Sequence, residues 1–159
     1  MEINNYNKKY DNDIKVLLAE LQEYIVSIDP EKYNIITEGY ADKYFEKTIN
    51  EINKYEGKMF LAVIDNKVVG LIIGLINNEK ENTYDFVAPK RGRITELIVS
   101  RDCRANGIGQ ALLASMEKYL KSVDCEGILI DVFGPNELAK NFYYKHGYIN
   151  RNVEVMKMI

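Results

Sequence analysis

The strand–helix–strand pattern over residues 93–133 most constrains the fold of this chain. The apolar run GRITELIVS is typical of a strand, a turn with two glycines follows, and apolar side chains then recur at helical spacing from Ile108. The next run, GILIDVF, is typical of a strand buried on both faces. Because crossovers of this kind are right-handed and join parallel strands, the sequence predicts at least one parallel strand pair.

The rest of the chain predicts further helices and an antiparallel hairpin. A short strand, EINNY, precedes a helix over residues 11–28, and a second helix is predicted over residues 38–55. The run KMFLAVIDNKVVGLIIGLI predicts two strands joined by a tight turn at residues 65–67. A polar stretch over residues 77–91 is predicted as a loop. A helix over residues 136–146, in which Phe142 and Leu138 are expected to point inward, and a final strand, NVEVMKMI, complete the chain.

These elements predict an α/β (α+β) fold in one domain over residues 1–159. We expect a mixed, mostly antiparallel sheet with a central parallel strand–helix–strand crossover and helices on both faces. The length suits one domain with its own core, and 47% hydrophobic with 28% charged residues is ordinary for a globular protein. The longest apolar runs are too short to span a bilayer, and no secretory pattern is visible, so we expect a cytoplasmic protein without a membrane partner.

Composition also excludes several kinds of chemistry. One histidine and two cysteines argue against a metal site and against catalytic arrangements that need histidine. The single histidine, His146, stands just before Gly147 at a predicted helix end, where a polar cap is ordinary. A formal net charge of −3 argues against nucleic acid as a partner and is compatible with cationic small molecules.

The glycine turn in CRANGIGQALL has the composition of a phosphate site. The start of a helix exposes unpaired backbone N–H groups and the positive end of the helix dipole. Gly107 and Gly109 would let a phosphate approach the backbone closely, and Arg104 adds a charge that can bind phosphate oxygens at two points. A Walker loop needs Gly-Lys-Ser/Thr, which this sequence lacks. A dinucleotide fingerprint needs glycine or alanine at the position where this chain has Leu112. A pyrophosphate site and a plain strand-to-helix turn both fit these residues.

Two motifs in this region resemble those of the GNAT superfamily of N-acetyltransferases. The first, Arg/Gln-x-x-Gly-x-Gly/Ala after a strand, is matched by RANGIG, residues 104–109. The second, Asn-x-x-Ala-x-x-Leu/Phe-Tyr-x-Lys-x-Gly-Phe/Tyr, is met at every defined position by NELAKNFYYKHGY, residues 136–148. The good match covers residues 93–148, whereas the earlier half agrees only in its order of elements.

The resemblance implies that acetyl-CoA binds where the first strand of the crossover splays from its parallel neighbour. In such proteins the pantetheine arm bonds to backbone groups of that strand, the glycine turn holds the pyrophosphate, and the motif asparagine faces the cofactor. The expected cofactor-binding residues are Leu97, Ile98, Val99, Arg104, Ala105, Asn106, Gly107, Ile108, Gly109, Asn136 and Tyr143, with no metal.

The resemblance also implies catalytic roles in a direct transfer within a ternary complex. Tyr143 matches the family's tyrosine near the thioester sulfur, where a phenol can give a proton to the leaving thiolate; the alternative is a packing role. Glu96 is a candidate base because it lies in an apolar strand, and burial would raise the pKa of its carboxyl. Asp131 is a rival, since family members that acetylate ribosomal protein N-termini carry an acid five residues before the motif asparagine. Either carboxylate could instead be a structural hydrogen-bond acceptor.

The acceptor has no motif of its own, and charge patterning is the only indication. Between residues 20 and 46, the two helices before the hairpin and their connection carry seven acidic residues with tyrosines among them. This combination suits a small cationic amine; a solvated helix surface is the alternative. The acids are Glu20, Glu23, Asp29, Glu31, Glu38, Asp42 and Glu46, and the tyrosines are Tyr24, Tyr33, Tyr40 and Tyr44. A CoA-binding sensor without turnover and a protein N-terminal acetyltransferase are the other functions considered. Homodimers are common in the family.

Overall fold

The computed structural model describes residues 1–77, 87 and 89–158, which contain five strands and four α-helices. In chain order the elements are β1 (Glu2–Asn5), α1 (Asp11–Ile28), α2 (Tyr40–Lys54), β2 (Lys58–Ile64), β3 (Lys67–Asn77), β4 (Arg91–Val99), α3 (Ile108–Ser122), β5 (Gly127–Ile130) and α4 (Glu137–Lys145). Short 3-10 turns precede α1 and follow β4.

The strands form one sheet in the order β1-β2-β3-β4-β5. Neighbours are antiparallel except β4 and β5, which are parallel and are connected through α3. This confirms the predicted crossover and the mixed, mostly antiparallel sheet. The predicted hairpin between β2 and β3 is also confirmed. Asp65 and Asn66 both have positive φ, 48° and 60°, as a tight two-residue hairpin turn requires.

Helices cover both faces of the sheet, and each face has its own core. On one face α1 buries Ile14, Leu17 and Leu18, and half-buried side chains of α2 pack beside them. On the other face α3 buries its apolar positions, Ile108, Leu112, Leu113, Met116 and Leu120. Their three- and four-residue spacing is that of one helix face, as the sequence predicts. None of the described helices has an apolar stretch that could cross a bilayer.

A β-bulge in β4 decides which of its side chains face which helices. Ile73 of β3 pairs with Glu96, whereas the next residue, Gly74, pairs with Ile94, so Thr95 is an extra residue in β4. Before the bulge Ile94 packs in the core beside α3, and after it Ile98 packs in the core beside α1. Since an extra residue reverses the alternation of a strand, the bulge also turns Glu96 toward the side of α1 and α2.

Three expectations differ from the structure. The run GILIDVF gives only four residues of strand, and these are half-buried because β5 is the last strand in the described sheet. Residues 151–158 are exposed and form no strand, because alternating apolar residues favour a strand only where a partner strand pairs with them. Leu138, expected to point inward, is 65% exposed, and Tyr143 is the buried side chain of α4. The predicted loop over residues 77–91 lies mostly outside the described residues.

Candidate active site

A pocket opens where β4 and β5 part. The two strands pair from Arg91 with Gly127 as far as Ile94 with Ile130, where β5 ends. β4 continues to Val99 with β3 on one side and a gap on the other. The pocket beside this gap has a volume of about 270 Å³ and is lined from α1, α2, β4, the segment after β5, and α4. Its polar lining includes Gln22, Tyr40, Tyr44, Glu96, Asp131 and Tyr143.

The glycine turn ends at α3, near the same end of β4. Gly107 precedes the helix with φ of 76°, a left-handed conformation that favours glycine, and no side chain of the described residues caps the helix start. The first N–H groups of the helix are therefore open to a ligand. A Cβ placed on Gly109 would lie 3.5 Å from Phe142 and 3.7 Å from Val99, which is ordinary contact. Packing alone therefore does not require glycine at this position. A phosphate bound close to the backbone would require it, because a side chain would occupy the same space.

Arg104, the first residue of the glycine motif, is held by β4 and α1. Its Nε donates to the backbone carbonyl of Val99 at 3.1 Å, and its Nη2 lies 3.9 Å from the Glu20 carboxylate. The guanidinium carbon lies 5.7 Å from the centre of the Tyr24 ring. Arg104 therefore anchors the turn to its surroundings as well as providing charge. The sequence gives no sign of this contact, because Glu20 looks like any other acid on the helix surface.

Glu96 lies in the pocket with its carboxylate bound to α2. The hydroxyl of Tyr44 donates a hydrogen bond to Glu96 Oε1. Burial raises the pKa of Glu96 to about 7; the Tyr44 hydrogen bond and the charge of Lys47 oppose this rise, and Glu51 adds to it. Near neutral pH such a carboxylate can therefore both accept and release a proton, as a general base must.

Tyr143 faces the same pocket from α4. Its side chain is buried between Phe142 and Tyr148, with ring centroids 5.4 and 5.5 Å away. Burial raises the pKa of its phenol well above the usual range, and the Glu96 carboxylate adds to this effect. Tyr143 is thus protonated at physiological pH and able to donate a hydrogen bond, and the raised pKa makes its phenol a weaker acid than free tyrosine. Among the described residues its hydroxyl has no hydrogen-bond partner, so it is available to a ligand.

Asp131 and Asn136 border the pocket on the side of β5. Asp131 follows β5, is exposed, and forms an ion pair with Arg93. Asn136 lines the pocket while its side-chain oxygen accepts from the N–H of Ala139 at 3.1 Å, which caps α4. His146 ends α4 with Nδ1 2.8 Å from the Phe142 carbonyl, in keeping with a cap. Among the described residues no His, Cys, Asp and Glu cluster could hold a metal.

The acidic residues expected to attract a cation do not line the pocket. Asp29 instead accepts from the backbone of Glu31 and Asn34, and Asp42 pairs with Lys15 at 2.7 Å. Glu20 of α1 accepts from the backbone N–H of Arg101, which follows β4, and not from a group in the pocket. Of the four tyrosines, Tyr40 and Tyr44 do line the pocket, with rings stacked 5.3 Å apart.

Known proteins resemble this chain in sequence family and in fold. The sequence matches the acetyltransferase (GNAT) family over residues 19–148. It is 36% identical over 100 residues to an uncharacterized N-acetyltransferase of Methanocaldococcus jannaschii, covering 62% of this chain and 57% of that relative's length. It is 30% identical over 124 residues to an N-alpha-acetyltransferase of Sulfurisphaera tokodaii, covering 77% and 71% of the two chains.

A solved structure shows the same fold over the whole chain. The crystal structure of a mutant protein from Bacillus halodurans covers 100% of this chain and 99% of its own, with a TM-score of 0.84 at 18% identity. Family match, related sequences, splayed strands and glycine turn all agree: the chain belongs to the GNAT family of acetyltransferases.

Proposed function

We propose that this protein transfers an acetyl group from acetyl-CoA to a primary amine by direct attack in a ternary complex. The observation that carries the proposal is the placement of Glu96 and Tyr143 on two sides of one pocket at the β4–β5 gap. The Glu96 carboxylate would accept a proton near neutral pH, and the Tyr143 phenol would donate one. Acyl transfer from a thioester to an amine requires both.

The cofactor assignment rests on the part of β4 that continues past the end of β5 and, among the described residues, has no strand on that side. Leu97, Ile98 and Val99 would bond the pantetheine arm along the gap, and the turn over residues 104–109 would hold the pyrophosphate at the start of α3. Asn136 and Tyr143 would face the thioester end from the other wall. Bound there, acetyl-CoA would supply the activated acetyl group.

The chain's own residues then move two protons. Glu96 takes a proton from the ammonium group of the acceptor, directly or through a water, which frees the nitrogen lone pair for attack on the thioester carbonyl. When the carbon–sulfur bond breaks, Tyr143 donates its phenolic proton to the departing sulfur, the second proton lost by the attacking nitrogen restores the Tyr143 phenol, and Glu96 releases its own proton to solvent. Asp131 is the second candidate base. Its ion pair with Arg93 and its exposure make Glu96 the better candidate.

The proposed acceptor is a small cationic amine. Tyr40 and Tyr44 present stacked rings to the pocket, and Glu96 and Asp131 add carboxylates, a combination that suits a cation. A volume of about 270 Å³ limits how much of an acceptor can enter. The outer acids of α1 and α2 would act only at long range, so added salt should weaken their contribution.

A second candidate acceptor is the N-terminal amine of a protein. The Sulfurisphaera tokodaii relative carries the name N-alpha-acetyltransferase and matches 77% of this chain, and the pocket has an exposed rim at Asp131 onto which a peptide could extend. In this version the terminal amine alone enters the pocket.

The experiment measures release of free CoA thiol from acetyl-CoA at low and high salt. The acceptors are small polycationic amines, acidic amino acids, uncharged aryl amines and peptides with a free N-terminus. We expect small polycationic amines to react faster than acidic amino acids or uncharged aryl amines, by a margin that shrinks with salt. Faster reaction of peptide N-termini would favour the second candidate. Calorimetric binding of acetyl-CoA without thiol release for any acceptor would indicate a CoA-binding module that does not turn over.

A further inference from the structure

We propose that Tyr44 is a positioning residue that holds the Glu96 carboxylate facing the acceptor. This inference rests on the proposed function, in which Glu96 receives the proton of the amine. Tyr44 stands on α2 and Glu96 on β4, 52 positions apart in the chain, and the tyrosine hydroxyl donates to Oε1 of the carboxylate. Their contact joins the helix layer to the sheet at the proposed site.

The Tyr44 ring is fixed by its neighbours as well as by this hydrogen bond. It stacks on Tyr40 with ring planes 23° apart, and Lys47 Nζ lies 5.4 Å from its centre. The ring also packs against the core beneath α1 and α2. A donor held in this way loses little further freedom when it binds the carboxylate, so it can hold Glu96 in one orientation.

The two oxygens of Glu96 can then have different tasks. Oε1 accepts from Tyr44, and the second oxygen is left to accept a proton from the amine or from a bridging water. Without the Tyr44 hydroxyl, the half-buried carboxylate would lose a hydrogen bond that favours its charged form. Glu96 would then be protonated over a wider range of pH and less firmly oriented.

Other groups face Glu96 and remain when the Tyr44 hydroxyl is removed. α2 contributes Tyr40, Lys47 and Glu51, α4 contributes Tyr143, and Asp131 with its partner Arg93 stands across the pocket. α1 lines the pocket with Leu21, Gln22 and Ile25, which do not titrate. Of the titratable groups, the Tyr44 hydroxyl is the one that donates a hydrogen bond to the carboxylate among the described residues.

The first test is the pH profile of kcat/KM for Tyr44→Phe, with Tyr40→Phe as the matched control. Each change keeps an aromatic ring in the stack and removes one hydroxyl, but the Tyr40 hydroxyl lies 3.5 Å from Gln22 and does not bond Glu96. Because the base must be deprotonated, activity rises with pH through the pKa of Glu96. In Tyr44→Phe we expect this rise to occur about one pH unit higher. At pH values below the rise, kcat/KM should be about tenfold lower than in the wild type, and above the rise it should recover. Because Tyr40 also lines the pocket, Tyr40→Phe can change the rate, but its pH profile should keep the wild-type midpoint.

The second test measures Glu96 directly and needs no acceptor. In protein with carbon-13 in its glutamate carboxyl groups, the Glu96 signal is assigned by its absence in Glu96→Gln, and its titration midpoint is followed in the free enzyme. An upward shift in Tyr44→Phe but not in Tyr40→Phe supports the positioning role, whatever acceptors are found. If no acceptor causes release of CoA thiol, the proposed function fails, but the titration result for Tyr44 and Glu96 is unaffected. The inference is overturned if Tyr44→Phe leaves both the pH-dependent rise of kcat/KM and the titration midpoint of Glu96 unchanged. If Glu96→Gln abolishes that rise in the same experiments, the proposed function stays intact.

Discussion

The carboxylate of Glu20 on α1 accepts a hydrogen bond from the backbone N–H of Arg101, with 2.6 Å between nitrogen and oxygen. The same carboxylate lies 3.9 Å from Arg104 Nη2. On the same helix Leu21, the next residue, and Ile25, about one turn further, line the pocket. α1 therefore borders the pocket and also holds the chain where it enters the glycine turn.

This contact predicts that Glu20→Ala weakens acetyl-CoA binding even though Glu20 is outside the glycine motif. Without the carboxylate, the backbone at Arg101 and the Arg104 guanidinium lose a shared partner, and the turn is less well ordered before the cofactor arrives. A charged hydrogen bond of this kind justifies an expected loss of about three- to tenfold in affinity by calorimetry. Glu23→Ala, an exposed change on the same helix, is the control. Equal affinities in the two variants would show that α1 does not order the turn.

The glycine turn itself predicts a larger effect from Gly109→Val. A Cβ at this position meets Phe142 and Val99 only in ordinary contact, so the fold should survive, while the branched side chain would occupy the space beside the open N–H groups. Acetyl-CoA affinity should fall at least about tenfold, roughly 1.4 kcal/mol. Gly127→Val serves as the control, since among the described residues a Cβ there meets only Arg91, at 3.8 Å, at the far end of β4. Unchanged calorimetric binding in folded Gly109→Val would exclude the turn as the pyrophosphate site.

Tyr143→Phe should separate chemistry from binding. The change removes one hydroxyl and keeps the buried ring between Phe142 and Tyr148, so acetyl-CoA affinity should stay the same. Loss of a general acid should lower kcat by about a hundredfold or more. Tyr144→Phe is the control, because that hydroxyl is bound to Asn150 at 2.8 Å, away from the pocket. Wild-type kcat in Tyr143→Phe would leave Tyr143 with a packing role only.

Helices and their ends could be predicted from this sequence because the determining signals are local. The predicted helix over residues 11–28 has the bounds of α1, with acidic residues in its first turn and Pro30 just beyond its end. The predicted helix over residues 136–146 differs from α4 by one residue at each end, with Asn136 as its cap. The mixed sheet followed from the crossover rule and from the hairpin turn.

Features that depend on pairing between distant residues could not be predicted in the same way. The bulge at Thr95 exists only in the register of β4 against β3, yet it turns Glu96 toward Tyr44. Glu20 cannot be told apart from the other helix acids until the fold brings it to Arg101. The strand predicted from NVEVMKMI failed for the same reason, because alternation indicates a preference and cannot supply a partner strand.

The raised pKa of Glu96 finally predicts a stability cost that depends on pH. Its folded-state pKa, about 7, lies above its ordinary value of 4.5, so the folded protein binds more protons than the unfolded chain between these values. Stability contributed by this group is therefore fully present below pH 4.5 and decreases as pH rises toward 7. Glu96→Gln removes the buried charge and should raise the free energy of unfolding by about 1–3 kcal/mol at pH 8, relative to wild type, with the gain vanishing near pH 4.5. Urea unfolding at the two pH values measures this, and Glu23→Gln controls for loss of an exposed charge. A gain that is equal at both pH values, or absent at pH 8, would mean that Glu96 is not a carboxylate held in the pocket at the expense of stability.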